Sequence, residues 1–142
     1  MKQVRIKLAD GGKKPVYKTA GASCADCFAR IPSGYFTLPE GTRCLVNIGF
    51  CIELPEGYEA VIRPRSGLSK IGIDIAYGCI DSDYRGEVKA CVINNSSGDY
   101  TINDGDRICQ MKIQETGQFD FAEADELSMT ERGASGFGST GV

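Results

Sequence analysis

The chain has no histidine and no tryptophan among its 142 residues. Without imidazole, Ser/His and Cys/His nucleophilic schemes are excluded, as are zinc sites that need a histidine ligand. Acid and base work falls to carboxylates. No apolar run approaches the roughly 20 residues of a membrane-spanning helix, and the opening MKQVRIKLAD lacks the continuous apolar stretch of a secretory signal. A basic excess is missing as well. The net charge of -3 and pI near 5.0 fall short of what a nucleic-acid polymer demands, so neither DNA, RNA nor a membrane is an expected partner. Cysteine breaks the pattern of scarcity: there are seven, an odd number with no export signal, which predicts a reduced, cytoplasmic protein. Cys24-Ala25-Asp26-Cys27 has CxxC spacing, but a zinc site wants a second matched pair, and Cys44, Cys51, Cys79, Cys91 and Cys109 offer none. Most of the cysteines are expected as small core residues on strands.

With 42% hydrophobic and 25% charged residues, the length suits one domain with a real core, residues 1–142, and no linker divides it. Short strand-like stretches recur at Val4 to Leu8, Cys44 to Leu54, Tyr58 to Arg63, Gly86 to Ile93, Tyr100 to Ile102, Arg107 to Ile113 and Phe119 to Ala122. In the fourth, Val88, Ala90 and Val92 alternate with Glu87, Lys89 and Cys91, a period of two that puts the core on the valine side. Leu38-Pro39-Glu40-Gly41 and Leu54-Pro55-Glu56-Gly57 read as tight turns with proline second and glycine fourth. Asn94 to Asp99 and Asn103 to Asp106 are further turns. Helix is expected only for a turn or two after Ser66 and over Ala122 to Leu127. The dense strand spacing predicts an all-β sandwich or barrel.

Four segments could carry chemistry. Arg63-Pro64-Arg65-Ser66-Gly67-Leu68-Ser69 follows a strand that Pro64 cannot continue in a sheet centre. If Ser66 caps the next helical turn, its hydroxyl, the amides beside Gly67 and the Arg65 charge make an anion site. The same residues also suit a plain strand-to-helix corner with surface arginines. Gly78-Cys79-Ile80-Asp81-Ser82-Asp83-Tyr84-Arg85-Gly86 precedes the alternating strand and predicts a hairpin. There Asp81 either holds a water as general base or hydrogen-bonds the turn backbone. Gln110, polar amid Ile108, Met111 and Ile113, points at a ligand or outward. The end of the chain, Arg132 to Val142, reads RGASGFGSTGV, too small to pack itself. It is either a solvated tail or a lid, in which Arg132 grips phosphate, the glycines and hydroxyls add donors and Phe137 stacks on a ring.

In order, RPRSGLS, GCIDSDYRGEV, GDRICQ and RGASGFGSTG resemble motifs of the trimeric dUTP pyrophosphatase (dUTPase) family across residues 63 to 141, and GASCADCFA around Asp26 matches a further motif more weakly. The resemblance implies a distorted β-barrel or jelly roll with one short helix and a lid arm over 131–142. Three copies would form a homotrimer with shared active sites that hydrolyses dUTP to dUMP and pyrophosphate. It implies Asp81 as the residue that activates water and contacts the 3'-hydroxyl, with Tyr84 against the sugar. Uracil would be read near Gly78, Cys79, Ile80 and Lys89, and the phosphates by Arg65, Ser66, Gly67 and Gln110. Asp26 would hold Mg2+ through water, and Arg132, Gly138, Ser139 and Thr140 would embrace the γ-phosphate while Phe137 covers the base. Eleven extended residues reach on the order of 36 Å, enough for the arm to cap a site built largely by other copies. Cys24 and Cys27 depart from the family pattern, which has glycine and an aliphatic residue there; Ser69, where a small apolar residue is common, is a minor change. The related dCTP deaminase, which shares the fold, and a non-catalytic or regulatory nucleotide-binding relative are the alternatives, but IDSDYRG favours uracil, and Asp26, Asp81, Tyr84, Arg132 and Phe137 argue for retained catalysis.

Overall fold

A computed structural model describes residues 3–136 of the chain. Among these the regular elements are β1 (Arg5–Leu8), β2 (Ala25–Phe28), β3 (Tyr35–Leu38), β4 (Arg43–Asn47), β5 (Phe50–Glu53), β6 (Tyr58–Arg63), α1 (Ser66–Ser69), β7 (Ile73–Ile75), β8 (Gly78–Ile80), β9 (Lys89–Asn94), β10 (Tyr100–Asn103) and β11 (Arg107–Glu115). Every pairing is antiparallel. The strand orders are β1-β5, β10-β3, β2-β11-β6-β8 and β4-β9-β7, a jelly-roll-like, all-β architecture.

The core lies where the alternation puts it. Val88, Ala90 and Val92 are buried and Lys89 is exposed. They join Phe50, Ile48, Leu38, Ile73, Ile102 and Ile108 in one cluster, each large side chain stabilising by about 1.5–3 kcal/mol through burial. In β6, Ala60, Val61 and Ile62 are all buried, because this strand lies inside its sheet, between β11 and β8, with both faces covered.

Several expectations need correction. The run from Cys44 to Leu54 splits into β4 and β5 at Gly49, whose φ of 76° breaks the extended path. β2, β3 and β7 fall in segments of three or four residues, too short to display a period. In the LPEG turns the hydrogen bonds run from Thr42 N to Pro39 O and from Tyr58 N to Pro55 O. Proline is therefore first and glycine third, since the positive φ of Gly41 and Gly57 belongs at the third position of a type II turn. No strand forms at Phe119 to Ala122 and no helix at Ala122 to Leu127. Phe119, Phe121 and Leu127 are nearly fully exposed, so nothing in the described chain supports them, and six residues are too few for a helix to persist alone.

Asn94 is the one buried polar residue among those described. Its amide nitrogen donates to Leu38 O at 3.0 Å and Gly98 O at 2.8 Å, and its oxygen accepts from Ser96 N and Ser96 Oγ. These bonds close the β9–β10 turn. Asn94→Ala strands buried partners and is expected to lower unfolding free energy by about 1–3 kcal/mol. The check is the urea midpoint at constant m-value, and an unchanged midpoint would deny the network its role.

Candidate active site

At the end of β6, Pro64 has no N–H to continue the ladder. Arg65 remains extended, with φ -99° and ψ 131°, and is the N-cap of α1 with no side-chain cap bond. Ser66 is not the cap. Its backbone is already helical, and only a residue still outside the helix can turn its hydroxyl back onto the first amides. Leu68 N and Ser69 N both donate to Arg65 O, so the Ser66 and Gly67 amides precede the first intrahelical donor and point out of the turn.

Strand register assembles the rest of this corner. Gln110 on β11 stands opposite Asp26 on β2 and Arg63 on β6. Its Nε2 donates to Pro64 O at 2.7 Å, so it faces the corner. Arg65 Nη1 donates to Arg107 O at 2.6 Å, and its Nε lies 3.4 Å from Asp26 Oδ1. Arg107 Nη1 donates to Asp26 Oδ2 at 3.0 Å. One carboxylate, 12% exposed at its side chain, is thus clamped between two guanidinium groups that reach further into solvent. Among the described residues no cluster of three or more Cys, Asp or Glu could cage a metal ion. A lone hard oxygen donor suits Mg2+ held through water and completed by ligand oxygens.

The second group is the loop that joins β8 to β9; the expected hairpin does not pair, because β8 bonds to β6 in one sheet while β9 bonds to β4 and β7 in another. Gly78 and Ile80 of β8 pair with Ile62 and Ala60 of β6, and β8 ends its sheet, so its outer edge keeps N–H and C=O groups outside that ladder. A cleft of about 220 Å³ there is lined by Cys79, Ile80, Asp81, Tyr84, Glu87, Val88 and Lys89. Asp81 O accepts from Tyr84 N at 3.2 Å, while among the described residues no hydrogen bond or salt bridge engages the Asp81 carboxylate. Tyr84 Oη donates to Glu87 O at 3.1 Å, and Arg85 ties the tip through Ser82 O and Tyr84 O. Desolvation and the Glu59 carboxylate push the Cys79 thiol above its ordinary pKa, which makes it a poor nucleophile.

The two groups sit at opposite ends of β6. Asp81 follows the residue opposite Ala60, whereas Arg65 lies two residues beyond Arg63, a separation on the order of 15–20 Å along extended chain. One chain therefore gathers Asp26, Arg65, Ser66, Gly67 and Gln110 in one place, and Gly78 to Ile80, Asp81, Tyr84 and Lys89 in another. Arg132 Nε donates to Ser135 O at 2.9 Å within its own turn. Phe137, Gly138, Ser139 and Thr140 lie outside the described residues.

Sequence reading missed two residues. Arg107 reads as an ordinary strand-start charge, and only the β2–β11 register reveals its grip on Asp26. Gly86 is the other: a Cβ there would lie 2.3 Å from Tyr84 Oη and 2.5 Å from Cζ, so the tyrosine ring rests in the space that a side chain would fill. The Tyr-Arg-Gly spacing was the available signal.

The family model for dUTPase matches residues 15–141. The chain belongs to the dUTPase family. It is 49% identical over 144 residues to the deoxyuridine 5'-triphosphate nucleotidohydrolase of Neorickettsia sennetsu, covering 97% of this chain and 96% of that protein. The dUTPase of Staphylococcus bacteriophage 80alpha, solved with dUPNHPP, shares the fold with a TM-score of 0.92 over 100% of both chains at 23% identity. A dUTPase from phage phi11 of S. aureus, whose structure concerns coordination of a structural Mg(II) ion, aligns at TM-score 0.81 and 19% identity, covering 90% of this chain and all of that one. The dUTPase fold is thus common to chains of very different sequence.

Proposed function

We propose that this enzyme, a dUTP diphosphatase, hydrolyses dUTP to dUMP and pyrophosphate, with Asp81 as general base in a site shared between copies of the chain. The observation that carries this reading is the unengaged Asp81 carboxylate in the cleft between β8 and the start of β9. A carboxylate without protein partners is available to accept a proton from a bound water. That water attacks the α-phosphorus, the P–O bond to the β-phosphate breaks, and pyrophosphate departs.

Uracil enters the cleft, where the outer edge of β8 offers backbone groups around Gly78, Cys79 and Ile80, with Lys89 opposite. An N–H facing O4 and a carbonyl facing N3–H suit uracil and mismatch cytosine, whose donor and acceptor are reversed there. Thymine is refused for lack of room. Tyr84 packs on the deoxyribose and leaves no space for a 2'-hydroxyl. Arg65, Ser66, Gly67 and Gln110 bind the phosphates. A guanidinium has five donors, so Arg65 can keep Arg107 O and still reach an oxyanion. Asp26 is the residue that would hold Mg2+ through its water shell, and that ion, when bound, neutralises charge on the phosphates.

The separation of the two groups supports a site shared between chains. An open depression at the Asp81 end is lined by Glu56, Glu59, Asp81 and Asp83 with Arg85 as its sole cation, whereas Arg65 and Arg107 flank one carboxylate at the other end. Opposite charge favours docking one end of a copy against the other end of its neighbour, and closing such a heterologous contact with three copies gives the homotrimer. The arm over 131–142 then reaches across, bringing Arg132, Phe137, Gly138, Ser139 and Thr140 to the phosphates and base. Among the described residues no helix is long and apolar enough to cross a membrane.

The test is pyrophosphate release from dUTP, dCTP, dTTP and UTP with magnesium. Turnover of dUTP should exceed that of dCTP by on the order of 1,000-fold, because a mismatched base leaves polar groups unpaired. Ammonia release from dCTP would support a deaminase instead, and binding without turnover a non-catalytic relative. Gly86→Ala evicts the Tyr84 ring, and the preference for dUTP over UTP should fall roughly tenfold while the fold persists. An unaltered ratio would remove Tyr84 from sugar selection.

A further inference from the structure

Cys27 and Cys109 face each other in register across β2 and β11, and both side chains are wholly buried. All seven cysteines are free thiols. Cys27 Sγ lies 3.7 Å from Ala25 O. Residues directly opposed in an antiparallel pair have Cα atoms roughly 4.5–5.5 Å apart, inside the window of about 4.4–6.8 Å that a disulfide accepts. The immediate neighbours of this pair are Asp26 and Gln110, themselves in register. Alternation points Asp26 and Gln110 to the opposite face of the sheet from the two thiols.

We propose that Cys27 and Cys109 form an oxidation site at which a two-electron peroxide oxidant closes a disulfide between β2 and β11. One sulfur attacks a peroxide oxygen, the O–O bond breaks, and a sulfenic acid and water result. The second sulfur then attacks the first, the S–OH bond breaks, and the hydroxyl leaves as water with the second thiol's proton. Overall, two thiols and H2O2 give one S–S bond and two waters, and the two electrons lost by sulfur reduce the peroxide.

Access governs the rate. The neighbouring Cys109 thiol and burial hold the Cys27 thiol well above its ordinary pKa, and neither sulfur meets solvent. β2 is a four-residue strand at the edge of its sheet, and oxidation proceeds when it lifts from β11. The bond shortens the sulfur separation to about 2.05 Å and ties β2 to β11 at the residues next to Asp26 and Gln110. Its effect on catalysis rests on the proposed role of those two residues; the bond itself does not.

Treating the full-length protein with hydrogen peroxide, alone and in mild urea, then mapping peptides without reduction, tests both parts. A Cys27–Cys109 linked peptide is expected, formed several-fold faster in urea, with dUTP turnover lowered roughly tenfold and restored by dithiothreitol. Cys109→Ala and Cys27→Ala should each keep basal turnover and resist the oxidant. Recovery of Cys27 and Cys109 as free thiols under both conditions would overturn the site, whatever the activity. A mapped bond with unchanged turnover would overturn the link to catalysis, and so would equal inactivation of Cys109→Ala.

Discussion

Asp81→Asn is expected to lower kcat for dUTP by roughly 100-fold or more, with little change in KM. The amide matches the carboxylate in size but cannot take a proton from water. Since no described hydrogen bond or ion pair engages the Asp81 carboxylate, the replacement removes no structural contact, and the β8–β9 loop should keep its shape through Tyr84 N to Asp81 O and the Arg85 bonds at its tip. Loss in kcat at constant KM is the signature of an interaction made in the transition state. Single-turnover pyrophosphate release separates that step from product departure. If the asparagine protein turns over at the wild-type rate, Asp81 is a turn residue and the base lies elsewhere.

Much of the fold was legible because the buried strands obey simple rules. β6 begins and ends where the apolar run from Tyr58 to Arg63 does, and Val88, Ala90 and Val92 declare the buried face of β9. The turn after β8 was legible because Asp81 follows an apolar strand and precedes Tyr84, Arg85 and Gly86, but its flanking strands join different sheets instead of pairing as a hairpin. What stayed hidden depends on partners distant in sequence. Arg107 meets Asp26 across 81 positions, a pairing decided by β2–β11 register and invisible to local pattern. Cys27 and Cys109 read as unrelated residues for the same reason, since only the β2–β11 register sets them opposite each other. The segment from Phe119 to Leu127 misled because its apolar residues imitate strand and helix patterns. Within the described chain they find no surface to cover, and local propensity without burial does not sustain either element.

The separation of Asp81 from Arg65 along β6 leads to the second large effect. Arg65→Ala removes the proposed phosphate donor, which also pairs with Asp26 and donates to Arg107 O, and by itself it should cost turnover roughly 100-fold or more. Asp81→Asn is similarly impaired. If each site takes Asp81 from one chain and Arg65 from its neighbour, random assembly of equal amounts gives about one site in four with both native residues. Two nearly inactive proteins would then recover about a quarter of wild-type turnover on mixing.

Co-refolding Asp81→Asn with Arg65→Ala in equal amounts, followed by dUTP turnover against each parent refolded alone, tests the shared site most directly. Recovery to about a quarter of the wild-type rate is the result predicted by random assembly. A mixture no more active than the average of its parents, with exchange of chains verified, would place both residues on a single chain's site and contradict the account.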